Sequence, residues 1–188
     1  MVIANILGFF LFFYLYWKKL KDDYSSEKIF NSGFVLVLGI LLGTLFSKYL
    51  FVAYWFWITL LTIAIAQLIV IFRFKLKLFE SLDALIVSIL PWLSLFYLTD
   101  SIMRSNLSSF LIFWVSLTSI FIFFLFDNFY RTFTWYKSGR VGFSGLATLG
   151  IFFIIKLFFS AQKFEYLFSG TIAFISFLLL FNLSRQDG

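Results

Sequence analysis

The chain of 188 residues has no cysteine and no histidine. Disulfides, thiolate nucleophiles, Cys/His metal sites and imidazole acid–base chemistry are therefore excluded. Neither a metal nor any other cofactor is expected. Charge is scarce as well: charged residues make up 13%, against about 25% in soluble domains. Proline occurs once, as Pro91. What fills the space is apolar, with 62% hydrophobic and 24% aromatic residues, including 31 phenylalanines. Such a composition belongs in lipid.

Reading from charge to charge gives seven apolar stretches, at about 2–17, 29–50, 53–72, 82–99, 107–126, 141–160 and 167–183. Each lies near the roughly 20 residues that a helix needs to cross a hydrocarbon core of about 30 Å. They are continuously apolar rather than alternating, and lipid tolerates no unsatisfied backbone, so helices are expected in place of a barrel. The predicted fold is all-α: one polytopic membrane domain, 1–188, with seven transmembrane helices. Residues 1–17 carry no basic leader and no small-residue cleavage site, so they are read as a retained first helix.

Orientation follows from the basic residues, which are held on the cytoplasmic side when they flank short spans. Lys18, Lys19, Lys21, Lys28, Arg73, Lys75, Lys77, Arg131, Lys137, Arg140 and Arg185 follow the odd-numbered spans, whereas Lys48, Arg104 and Lys163 fall in the alternate loops. Lys156 lies inside the sixth span. The N-terminus is accordingly expected outside and the C-terminus in the cytoplasm. Net charge of +6 and a pI of about 9.6 then report topology and attraction to anionic lipid, not nucleic acid.

Several residues carry more than one reading. Pro91 falls mid-span, where it frees the Val87 carbonyl; the resulting bend serves packing or opens a substrate cleft, with Ser88 and Ser94 near enough to satisfy the backbone. Gly39 and Gly43 form a small-xxx-small pair that suits close helix approach, within the chain or between copies. Asp83, beside Glu80 and Ser81, reads as a cap at the start of the fourth span. No carboxylate falls mid-span, which argues against a proton or ion path, although Gln67 and Asn31 are candidates for a polar track. The 127–140 loop mixes Phe129, Tyr130, Phe133, Trp135 and Tyr136 with Arg131, Lys137 and Arg140. Rings at headgroup depth and cations on lipid phosphates make Arg131, Trp135, Tyr136, Lys137 and Arg140 a candidate interfacial anchor. The glycine-rich segment 138–145 follows no strand, so it does not read as a soluble-type phosphate loop.

Seven spans and the run Arg73-Phe74-Lys75-Leu76-Lys77-Leu78-Phe79-Glu80-Ser81-Leu82-Asp83-Ala84-Leu85 resemble bacterial prolipoprotein diacylglyceryl transferases. The first polar loop, Lys21 to Phe30, followed by Gly39-Ile40-Leu41-Leu42-Gly43, is similar in pattern, and Lys156 stands where the family has a functional arginine late in the chain. The resemblance implies a bacterial plasma-membrane protein of lipoprotein biosynthesis, with membrane lipids such as phosphatidylglycerol, a lipoprotein precursor or a membrane-protein partner. It also implies a cation for the leaving phosphate, which Lys156 or Arg104 offers; with Asp100 and Glu165 these make a candidate headgroup site. The family's Phe-His-Gly-Gly stretch is replaced by Phe56-Trp57-Ile58-Thr59, and its Gly-Arg-Ile-Gly-Asn signature has no counterpart at Leu95 to Ser101. An active enzyme would transfer diacylglyceryl from a phospholipid, but the missing motifs imply a degenerate or rebuilt site that binds anionic phospholipid. A non-catalytic assembly subunit and a small transporter or channel are the alternatives. Topology is directly testable: a reporter fused after Arg185 should read cytoplasmic and one inserted at Met103 external. The same side for both would break the seven-span model.

Overall fold

The computed structural model describes residues 2–50, 54–133, 136, 141–159 and 163–185. Among the described residues seven α-helices follow one another: α1 (Val2–Leu20), α2 (Ser26–Leu50), α3 (Trp55–Phe74), α4 (Leu78–Arg104), α5 (Leu107–Phe129), α6 (Phe143–Phe158) and α7 (Lys163–Arg185). A 3-10 turn, Tyr130–Thr132, follows α5, and no strand occurs among the described residues. Six of the helices are long and apolar enough to cross a membrane, so this is an all-helical, multi-pass membrane protein.

The helices mostly run past the apolar limits, because their last turns accept charge. Lys48, Arg73, Arg104 and Arg185 close α2, α3, α4 and α7, where a cation meets the negative end of the helix dipole. The sixth element departs from expectation. A 20-residue span was read at 141–160, but α6 has 16 residues, about 24 Å of helix. It is an apolar helix shorter than a full hydrocarbon crossing.

By compactness the chain divides into two units, residues 16–81 and residues 1–15 with 82–188. In the first, α2 and α3 pack closely through the expected glycines. A Cβ on Gly39 would lie 2.7 Å from that of Ala66, and one on Gly43 would meet the Thr62 hydroxyl and stand 2.7 Å from Thr59 Cα. The small-residue pair thus serves an interface within the chain. Buried polar groups are linked beside it: Gln67 Nε2 donates to Ser81 Oγ at 2.6 Å, Tyr16 and Ser32 share a hydroxyl contact of 3.3 Å, and Ser32 donates to the Ile29 carbonyl. Gln67 is therefore tied into packing, which leaves its Oε1 without a hydrogen-bond partner among the described residues.

A second set of bonds fastens two loops of this unit together. Lys75, at φ 54° in the left-handed region, ends α3 and turns the chain toward α4. Tyr24 donates to Glu80 Oε2 at 2.6 Å and accepts from the Lys77 backbone N–H at 3.0 Å, while Lys77 Nζ reaches Glu80 Oε1 at 2.9 Å. Partial burial, then the bond to Glu80, push the Tyr24 phenol up, and the same carboxylate holds the Lys77 ammonium above its ordinary value.

In the other unit Trp92 lies over Gly8, where a Cβ would collide with the indole, and its Nε1 donates to Asn5 Oδ1 at 3.3 Å. Helix α4 runs uninterrupted through Pro91. Ser88 spends its hydroxyl on the Ala84 carbonyl at 2.5 Å, not on the Val87 carbonyl assigned to it from sequence. Helix α6 packs against both α5 and α7, its Gly150 admitting the Phe177 ring.

The start of α6 shows how a short, buried helix satisfies its backbone. Gly142 enters at φ 117°, open to glycine at no steric cost, and the Gly145 N–H then donates to Asp83 Oδ1 at 2.6 Å. Ser144 reaches Asp127 Oδ1 at 3.4 Å. Asp83 was read as a cap on its own helix; it caps α6 instead. Gly145 leaves the room this needs, since a Cβ there would meet the carboxylate and stand 3.0 Å from Asp83 Cα.

Asp83→Ala should leave a buried N–H without an acceptor and lose about 1–3 kcal/mol of stability. Asp83→Asn, which keeps an oxygen there, should lose less, and Gly145→Ala should be destabilising through the clash. Thermal unfolding in detergent measures all three, and an Asp83→Ala protein as stable as the parent would refute the cap.

Candidate functional site

The four residues expected at a headgroup site lie at the ends of three helices, Asp100 and Arg104 on α4, Lys156 on α6 and Glu165 on α7. On α4, Tyr97, Asp100 and Arg104 recur at spacings of three and four and so share a face. The chain then reverses sharply: Ser105 takes φ 50°, and the Asn106 side chain caps α5 by accepting from the Ser108 N–H at 3.0 Å. That turn carries Ser109 back to Asp100, to whose Oδ2 it donates at 2.6 Å. Arg104 Nε stands 3.1 Å from Asp100 Oδ1. The pair is lopsided, with the Asp100 side chain 11% exposed and that of Arg104 71% exposed. Arg104 thus reaches outward from a buried carboxylate, as a long cationic side chain at a membrane boundary does.

Lys156 belongs to the last turn of α6 and is 5% exposed. Its stem and ammonium are thus enclosed by the protein rather than extended to the surface. The ammonium there complements the negative end of the α6 dipole, and its charge interacts with that of Glu165 in the first turn of α7. Tyr97, also buried, lies within electrostatic range of both Glu165 and Asp100. One turn beyond Glu165, Ser169 is fully buried with its hydroxyl unpartnered among the described residues.

Asp100 and Arg104 are therefore in direct contact, whereas Lys156 with Glu165, and Tyr97 with Glu165 and Asp100, are related only by longer-range electrostatics. Sequence reasoning missed Tyr97, Ser109 and Ser169. Tyr97 was findable from its three-residue offset to Asp100; Ser109 needed the α4–α5 reversal, and Ser169 had no signal beyond sharing a helical face with Glu165. Chemically the four charges balance.

The candidate anchor separates into different roles. Arg131 is exposed, its Nε donating to the Tyr130 hydroxyl at 3.1 Å and its guanidinium 5.6 Å from that ring's centre. Tyr136, expected at headgroup depth, is 3% exposed and packs edge-on against Phe143 at 4.7 Å between centroids. Burial against Phe143 and Tyr130 makes it part of the core at the α5–α6 turn. Trp135, Lys137 and Arg140 lie outside the described residues.

Compared with protein-family models, with curated proteins and with solved structures, the chain gives no match.

Asp100 holds two partners, so Asp100→Ala should lower the melting temperature in detergent more than Ser109→Ala, and Arg104→Ala should do least because that side chain is mostly exposed. A reversed order, with Arg104→Ala the most damaging, would show that the exposed ion pair and not the buried hydrogen bond organises this end.

Proposed function

We propose that the protein binds an anionic phospholipid headgroup at the ends of α4 to α7, and that it is a divergent relative of prolipoprotein diacylglyceryl transferase in the bacterial plasma membrane. The single observation that carries this reading is the burial of Lys156. A lysine near a helix end ordinarily extends its stem toward water, whereas Lys156 is kept inside the protein, its charge interacting with that of Glu165. The unspent Ser169 hydroxyl supports the same placement.

In this reading the N-terminus and the α4–α5 turn face outward and the C-terminus is cytoplasmic, on the strength of the basic-residue asymmetry. The headgroup's phosphate exchanges with Asp100 and Glu165 for Arg104 and Lys156. Transfer of diacylglyceryl to a cysteine would further require a group that takes the thiol proton. Asp100 accepts from both Ser109 and Arg104, so binding is supported better than transfer. A lipoprotein precursor would be the partner of an active form.

The purified protein should retain anionic phospholipid, phosphatidylglycerol foremost. Lys156→Ala should lower the retained lipid severalfold, and Lys156→Arg should keep it, as measured by lipid extraction and mass spectrometry. Unchanged retention in the alanine variant would refute the site. Incubation with phosphatidylglycerol and a cysteine-containing lipoprotein peptide should leave the peptide unmodified; diacylglyceryl transfer would replace the binding reading with a catalytic one.

A further inference from the structure

Within the unit of residues 16–81, the first turns of α2 and the last turn of α3 enclose an open cleft of about 600 Å³. Ser25, Glu27, Lys28 and Asn31 line it from one side and Arg73 and Phe74 from the other. Two cations on different helices thus face one space, accompanied by an amide, a hydroxyl and one carboxylate. Arg73 presents a planar fork of donors that fits phosphate oxygens two at a time, and Lys28 adds a point charge.

The cleft is held in shape from both ends. Tyr24, next to Ser25 in the chain, is locked to Glu80 and Lys77, and the Lys28 ammonium lies 5.9 Å from the centre of the Tyr24 ring. Further along, the close α2–α3 contact at Gly39 and Gly43 fixes the separation of the two walls. Backbone walls fixed in this way need little rearrangement when a ligand arrives. Next to the polar cleft the same two helices expose large apolar side chains, Phe30 and Phe34 on α2 and Ile69 and Phe72 on α3. A polar, cationic mouth bordering an apolar surface matches a molecule with a phosphate at one end and acyl chains at the other.

We propose that this cleft is a phosphate-group site, with Arg73 and Lys28 on the phosphate, Asn31 and Ser25 donating to its remaining oxygens, and the acyl chains of a phospholipid lying against Phe30, Phe34 and Phe72. Glu27 repels a second negative charge and so limits the site to one phosphate. The site shares no residue with the Lys156 cluster and is independent of the transferase resemblance.

Native mass spectrometry of the full-length protein in detergent tests it, with dioleoyl phosphatidic acid, dioleoylglycerol and inorganic phosphate as probes. Phosphatidic acid should bind and dioleoylglycerol should not. Lys28→Ala with Arg73→Ala should weaken that binding about tenfold, whereas Lys18→Ala with Lys19→Ala, an equal loss of charge elsewhere, should leave it unchanged. Lys156→Ala should also leave it unchanged, which separates failure here from failure of the proposed headgroup site. Because Lys28 and Arg73 are exposed, melting temperatures of the variants should match the parent. Displacement of phosphatidic acid by millimolar inorganic phosphate would keep the site and make its ligand soluble; equal weakening by both double substitutions, or equal binding of dioleoylglycerol, would overturn it.

Discussion

A helix that begins inside a membrane protein must find acceptors for its first N–H groups without help from water, and the Asp83–Gly145 contact answers that need for α6. Much of the second unit depends on it. With 16 residues α6 is shorter than a full crossing, and its first N–H groups meet a carboxylate of another helix. A carboxylate from α4 supplies the acceptor and complements the positive end of the dipole. Gly145 makes the approach sterically open, and Gly142 allows the chain to turn into the helix at φ 117°. At its other end α6 finishes on Lys156, so both termini of the shortest helix are matched by buried charge of the appropriate sign.

Close packing elsewhere relies on the absence of side chains. Lipid supplies little hydrophobic drive for one helix to leave it for another, so association depends on van der Waals fit and hydrogen bonds between helices. Gly39 and Gly43 let α2 and α3 approach to contact, Gly150 receives Phe177, and Gly8 receives the Trp92 indole. Hydroxyls do the complementary work. Those of Ser88, Thr99, Ser116, Ser119 and Ser176 bond to carbonyls one turn back along their own helices, which keeps them satisfied in an apolar surrounding without a partner helix.

The helices were legible in the chain because lipid makes a simple demand of them, namely length and apolarity. Their boundaries were less so: charged flanks such as 78–81 and 100–104 continue α4, since a charged residue at a helix end is stabilised by the dipole as readily as by a loop. Asp100, Arg104, Lys156 and Glu165 were candidates from their positions and the family resemblance, and the structure adds what neither contained, that Ser109 binds Asp100 and that Lys156 is enclosed. Tyr136 shows the opposite case. An aromatic ring beside arginine suits an interface, but the same ring suits a core, and only the neighbours Tyr130 and Phe143 decide between them.

By itself the sequence determined the solvent, the helical class and the exclusion of cysteine and histidine chemistry. Those follow from composition and from local runs, which the surrounding fold cannot alter. Tertiary structure decided which polar groups meet. Asp83 capping α6 across 62 residues of chain, Tyr24 joining Glu80 across 56, and Lys28 facing Arg73 over one cleft are relations between distant segments. No periodicity or motif encodes them, because each exists only once helices of fixed length have packed and left particular ends side by side.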